Sequence, residues 1–533
     1  MTTLQEKSAS IHGVRPFVVA ALLLLPAPGR GDEQRTVRPF ESEGGFIVRN
    51  VVDEAVLAAL RQRNIEPANP CSDEVFVRRV YLDVIGTLPA PGEVVAFLQD
   101  RRPDKRAKLI DALFERGEFA DFWSLKWCDL LRVKSEFPIN LWPNAVQAYH
   151  RWIHDAIRLN RPYDRLAREM LTSSGSNFRV PAVNFWRAIQ SREPAALAQA
   201  VTLTFLGVRS ERWPEARRKG LAAFFSRVAF KRTIEWKEEI VHGKPGVSGS
   251  IRAVFPDGAE VEIGPDQDPR RVFADWLVRP SNPWFTKAIV NRIWAWLMGR
   301  GIVHEPDDIR PDNPASNPEL LAVLSRELVH SGFDLRHVFR LILNSSTYQQ
   351  SPIPRSKHPE ARALFAHYIV RRLDAEVLID ALCSITGTTE KYWSAVPEPF
   401  TFIPEDNRSI ALADGSITSP FLEMFGRPAR DTGLWSERTN RSTGAQRLHM
   451  LNSSNLQGRI ERSWRLRAVL QRGRRDPGRA IRAVYLLILS RPPTTDEVAA
   501  VVKHGRTVRM NPKQLADDLV WALINSKEFL HAH

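Results

Sequence analysis

The sequence predicts a mainly α protein: two helical domains, with helix-hairpin modules at both ends and a small β-hairpin near the domain junction. Three observations predict this. Apolar residues recur at three- and four-residue spacing in one segment after another, whereas strand-like alternation is clearest in one place. A chain of 533 residues with 43% hydrophobic content exceeds what one ordinary core holds, so at least two domains are expected. Helix punctuation is also explicit. Asn282-Pro283, Asn317-Pro318 and Asp334 are helix starts, because Asn or Asp can accept from free amides and Pro lacks one, and Gly299 and Gly332 are stops.

Taken in order, Lys7 and Arg15 precede the apolar run Phe17–Leu25 and the small-residue stretch Pro26–Gly29. That is the order of a secretory signal, and the run falls short of the roughly 20 residues a bilayer span needs. Residues 1–31 are therefore expected to be a signal peptide, and the protein to be exported to the periplasm, cell surface or medium, with no transmembrane span. Residues 32–240 form the expected N-terminal helical domain. Its periodic segments are Val51–Leu60, Glu74–Ile85 ending at Gly86, Glu93–Leu98 and Lys105–Phe114, followed by a Trp-rich stretch whose Trp123 and Trp127 have core spacing. Residues 241–265 are a linker and β-hairpin, with Ile251–Phe255 and Ala259–Ile263 alternating around Pro256-Asp257-Gly258. Residues 266–533 are the C-terminal helical domain, whose long irregular stretch is Pro397–Asp431.

The two ends echo each other. Tyr81-Leu82, Pro89 and Glu93-Val94 recur as Tyr485-Leu486, Pro493 and Glu497-Val498 at identical intervals, with Arg78 and Ala96 matched by Arg482 and Ala500. Each is a helix, a proline turn and a second helix begun by an acidic residue, and Leu113–Phe119 and Leu523–Phe529 are similar downstream corners. A repeated packing module is expected.

Cys71, Cys128 and Cys383 are too few and too scattered for a disulfide framework, although one bridge stays open; Cys128 and Cys383 sit beside apolar residues, and Cys71 in a polar helix start. The net charge of +14 favours acidic partners: acidic polysaccharide, an anionic component of the cell envelope, or a partner protein. Export, and the interleaving of Arg with acidic residues, argue against nucleic acid.

Two clusters are candidates for chemistry. The loop His304–Asn313 carries Glu305, Asp307, Asp308, Asp312 and Asn313, hard oxygen ligands of the kind calcium takes, or an acid–base pair for glycoside hydrolysis. The plainer reading is a loop that faces solvent or is paired with nearby arginines such as Arg300 and Arg310. The second cluster is Arg427, Arg430, Asp431, Glu437 and Arg438, read more simply as an internal salt-bridge network. Nucleophile-elbow, zinc-protease and phosphate-loop patterns do not occur.

Arg78–Asp83 with Leu88-Pro89 and Pro91, Asn282–Phe285 with Val290–Trp294, Ser331–Leu335 and Leu343–Ser345 resemble the paired domains of unknown function 1549 and 1553. These occur together in exported planctomycete-type proteins, often behind a small cytochrome c domain, and their biochemical activity is not established. The resemblance implies architecture and export. It also implies a Cys-x-x-Cys-His segment where this chain has Ser210–Pro214, and Cys-x-Cys where it has Leu434 and Ser436. Without those thiolates haem is not expected, no soft metal site is expected, and calcium is the remaining cofactor candidate. If the two thiol pairs serve one site in relatives, Ser210–Pro214 should lie near Leu434 and Ser436. The functional expectation is an exported, non-catalytic scaffold or binding protein that presents a basic surface to an acidic polymer or a partner protein; the alternative is a polysaccharide hydrolase or lyase using loop 304–313. Whether it is an enzyme stays open.

Overall fold

A computed structural model describes residues 36–244, 249–401, 403, 405–472 and 476–533, so the expected signal segment lies outside the described residues. Helix accounts for 52% and strand for 7%, which makes the protein mainly α. The helix starts form as their sequences dictate. Asn282 accepts from the amides of Trp284 and Phe285 to open Pro283–Met298, which ends at Gly299 with φ +75°. Asn317 accepts from Leu320 N–H to open Pro318–His330, and Asp334 from His337 N–H to open Leu335–Leu343. Near the N-terminus, Ser72 opens Asp73–Ile85, and Gly86 closes it with φ +61°. The buried apolar side chains form one continuous cluster from Val52 to Ala532, in which Trp123, Trp127 and Trp186 are buried.

Both end modules are helix, turn, helix: Asp73–Ile85 with Pro91–Gln99, and Pro477–Ile488 with Thr495–Thr507. Their tyrosines are buried in matching surroundings. Arg116 lies 5.7 Å over the Tyr81 ring and pairs with Glu93 and Glu118; Arg491 lies 5.4 Å over Tyr485 and pairs with Glu497 and Glu528. The arginine arrives from a different sequence position in each module, but the constellation is the same. The modules also touch, since buried Arg78 donates to Ile488 O at 2.8 Å and Phe529 O at 3.0 Å. Its counterpart Arg482 is exposed.

The β-hairpin forms where expected, Ile251–Val254 against Glu260–Ile263, antiparallel. A second sheet was not legible. Gly175–Ser176 pairs with Glu239–Gly243, which pairs in turn with Val228–Arg232. These strands are at most five residues long, so the sequence offers little period to detect. The cysteines are all free, and Cys71, expected in a polar setting, is buried.

Candidate functional site

The helix Pro283–Met298 is apolar along most of its length, yet it carries Arg292 in its buried face. A buried guanidinium must be paired. Arg292, 2% exposed, donates to the carbonyls of Leu203 and Thr204 at 2.5 Å and pairs with Asp307, 1% exposed, at 3.0 Å. The other Asp307 oxygen accepts the backbone N–H of Trp435. Asn291, one residue earlier, exchanges two 3.0 Å bonds with the backbone of Val303, and Ile309 N–H donates to Gly207 O.

The acidic loop is thus folded in rather than held out, and its side chains part company. Glu305 pairs with Arg209 at 3.0 Å; Asp308 lies 3.5 Å from Arg212 and 3.3 Å from Arg310; Asp312 meets Arg310; Asn313 donates to the Asp308 carbonyl. Arg310 is a partner as expected. Arg300 is not a partner of the loop carboxylates: burial lowers its pKa, and the charge of Arg362 adds to that effect. Among the described residues no group of three or more His, Cys, Asp and Glu side chains is arranged to hold a metal ion.

The second cluster is a buried ionic network, but its acids come from elsewhere. Arg438 pairs with Asp129 and Glu376, each at 2.7 Å; Arg430 pairs with Asp129 at 2.9 Å; Arg427 lies 3.5 Å from Glu376; Lys126 pairs with Asp374. Burial would raise the pKa of Asp129 and Asp374. The cations outweigh it, Arg438 and Arg430 for the first, Lys126 and Arg438 for the second, and hold both below the usual carboxylate range. Glu437 lies outside this network, accepting instead from the amides of Asp431 and Thr432, while Asp431 pairs with Lys134.

The two clusters face one cavity of about 760 Å³. Glu305, Asp307 and Arg438 line it; Asp308, Asp312, Asn313, Arg427, Arg430 and Glu437 do not. One wall is aromatic. Trp296 is half-buried, with ring centroids 5.6 Å from Trp123 and 6.4 Å from Trp435, and all three line the cavity. The rest is strongly polar. The cations Lys126, Arg292, Arg371, Arg372 and Arg438 each donate to a carboxylate or a carbonyl. Arg362 and Arg441 are exposed, and their guanidiniums have no hydrogen-bond or ion-pair partner among the described residues. His304, between Arg300 and Glu305, has a pKa lowered by burial and then by the Arg300 charge, against the pull of Glu305. The positions expected to have lost thiols divide. Leu434 and Ser436 line the cavity, while Ser210 is buried and does not, its hydroxyl lying 2.8 Å from that of Thr202. The two segments connect through the acidic loop, by Arg209–Glu305 and Arg212–Asp308 on one side and Asp307–Trp435 on the other.

Fold and site define a helical protein with a large polar cavity walled by tryptophan and arginine, built from residues of both halves of the chain. The chain belongs to the proteins that pair two domains of unknown function: residues 51–211 match PSCyt2, protein of unknown function (DUF1549), and residues 269–504 match PSD1, protein of unknown function (DUF1553). Neither a curated protein nor a solved structure matches it.

Proposed function

We propose that this is an exported binding protein whose cavity takes an acidic saccharide, a unit or short segment of a carboxylated or sulfated polymer. The observation that carries the reading is the pairing, in one cavity, of half-buried Trp296 and Trp435 with the two unpartnered guanidiniums of Arg362 and Arg441. Ring faces suit the apolar faces of a pyranose, and a planar guanidinium suits carboxylate and sulfate oxygens. The net charge of +14 raises the local concentration of such a polymer. Export remains part of the proposal; among the described residues no helix is long and apolar enough to cross a membrane.

A binding role fits better than hydrolysis because the carboxylates facing the cavity are engaged. Asp307 is bound by Arg292 and an amide, and Asp129 and Asp374 by two cations each. Glu305, held by Arg209 alone and next to His304, is where the hydrolase or lyase alternative would act. Titration calorimetry with uronate-bearing, sulfated and neutral oligosaccharides, with calcium and with a chelator, tests both readings. The expected result is binding of the charged oligosaccharides alone, weakened by salt, independent of calcium, and lost in Arg362→Ala/Arg441→Ala. Equal binding of neutral oligosaccharides overturns it, as does chain cleavage that Glu305→Gln abolishes.

A further inference from the structure

The strands Val228–Arg232 and Glu239–Gly243 form an antiparallel hairpin whose turn carries large apolar side chains into solvent. Ile234 is 106% exposed and Trp236 is 69% exposed. A neighbouring loop adds Phe137 at 85%, and Trp142 on that loop packs 6.4 Å from Trp236 and 5.3 Å from Phe400, itself exposed. The tip is tied down. Thr233 N–H donates to Glu238 O, the Thr233 hydroxyl bonds the Glu238 carboxylate at 2.6 Å, and Lys237 stands 5.5 Å over both Trp142 and Trp236. Isolated exposed apolar residues are ordinary, but a fixed cluster of this kind marks an interaction surface.

What lies behind the tip selects the partner. Glu238 and Glu239 are buried at the base of the turn, and four arginines gather on them: Arg187 at 2.7 Å and Arg192 at 2.9 Å from Glu239, with Arg232 and Arg179 each 3.9 Å from one of the pair. Arg179 and Arg232 remain almost wholly in solvent, and Lys231 is exposed beside them. The collar therefore carries more positive than negative charge, with Glu235 on the tip and Glu398 beside Phe400 as exposed acids on this face. A sugar platform would want coplanar rings; Trp142 and Trp236 stand at 82°, and Ile234 has no ring to stack.

We propose that this hairpin tip docks on an anionic lipid bilayer. Ile234 and Trp236 enter the boundary between headgroups and acyl chains, the level at which tryptophan partitions, and the arginine collar meets the headgroup phosphates.

Cosedimentation with vesicles of phosphatidylcholine, alone and mixed with phosphatidylglycerol, tests the proposal, with tryptophan emission and quenching by brominated lipid read in parallel. The expected result is binding to the anionic vesicles, weakened by salt, with a blue shift and quenching of Trp236. Ile234→Ser/Trp236→Ser should partition at least about tenfold more weakly. Glu235→Lys, at an exposed position that does not threaten folding, should partition more strongly. Arg362→Ala/Arg441→Ala should bind vesicles as the parent does, which separates this surface from the cavity. No binding to anionic vesicles overturns the proposal, as does binding unchanged by both tip variants. Self-association that the double variant abolishes, without vesicle binding, also overturns it and assigns the tip to a second copy of the chain.

Discussion

Replacing Arg438 by Met tests the network that forms one side of the cavity. The Arg438 side chain is 13% exposed and makes two short charge-assisted bonds, one to Asp129 and one to Glu376, with Asp374 a further 3.7 Å contact. Breaking a buried pair by removing one partner costs about 3–5 kcal/mol, because a carboxylate is left in low dielectric without its counter-charge. Each acid here keeps a second cation: Asp129 keeps Arg430, Glu376 keeps Arg427 at 3.5 Å, and Asp374 keeps Lys126. The low end, about 3 kcal/mol at pH 7, is therefore expected. Glu376→Gln/Arg438→Met removes one stranded charge and should recover part of that loss, a coupling of at least about 1 kcal/mol. The sign with pH follows from the depressed carboxylates. Asp129 and Asp374 contribute stability that is present above their unfolded values and is lost as pH falls through their folded ones. Without Arg438 their folded values move up, so the gap between variant and parent should narrow as pH falls through those raised values. Urea unfolding followed by tryptophan emission at several pH values reads all three quantities. A loss under about 1 kcal/mol, additive double variants, or a gap that does not change with pH would refute the account of the network.

Three further outcomes are expected. Intact mass of protein from the native host should show a start between Pro28 and Gln34, and a retained Met1 contradicts the signal segment. In the folded protein Cys71 and Cys128 should not react with an aromatic disulfide and Cys383 should react slowly, because burial pushes the Cys128 thiol up to about 12 and Cys383 to about 11; all three should titrate in denaturant, and rapid reaction of Cys128 in the folded state would contradict its burial. Burial, reinforced by the charge of Arg430, lowers His150 to about 4, so the unfolded chain takes up a proton below about pH 6.5 that the folded one refuses; stability should fall by about 2 kcal/mol from this residue by pH 5, and His150→Gln should lose that part of the slope.

What the sequence revealed and what it hid divide along range of interaction. Helix starts were legible because a cap acts over three residues: Asn282, Asn317 and Asp334 each accept from amides two or three positions on. The fates of Asp307 and Asp308 were not legible. They are adjacent, yet one is buried against Arg292 and the Trp435 N–H and the other faces Arg212 and Arg310, a difference set by where Arg292 and the carbonyls of Leu203 and Thr204 happen to lie. One signal was available. Arg292 sits in an apolar helix face, and such a charge requires a nearby acid, which the following loop supplies. Trp296 shows the limit of periodicity in another way: it follows buried Ile289 and Ile293 at helical spacing, but the face it occupies meets an opening as well as a core. The partners of the Arg427–Arg438 cluster were hidden for the same reason, since Asp129 lies about three hundred positions away in sequence.

The buried charges explain why the two family domains make one site. Asp83 pairs with Arg371, Lys126 with Asp374, and Asp129 with both Arg430 and Arg438; in each case one partner lies in residues 51–211 and the other in residues 269–504. Arg292 adds a fourth tie, spanning from the second match to the carbonyls of Leu203 and Thr204 in the first. Apolar contact alone would let the halves slide, since it is not directional. Buried ion pairs are directional and costly to leave unmatched, so each one fixes register across the seam even where its net stabilisation is small. These same residues, Asp83, Lys126, Asp129, Arg292, Arg371, Asp374 and Arg438, line the cavity. The seam and the site are therefore one structure: the pairs that hold the halves in register also fix the walls that Trp296, Trp435, Arg362 and Arg441 complete. Neither half carries that arrangement alone, which gives a physical reason for the two domains to occur in one chain.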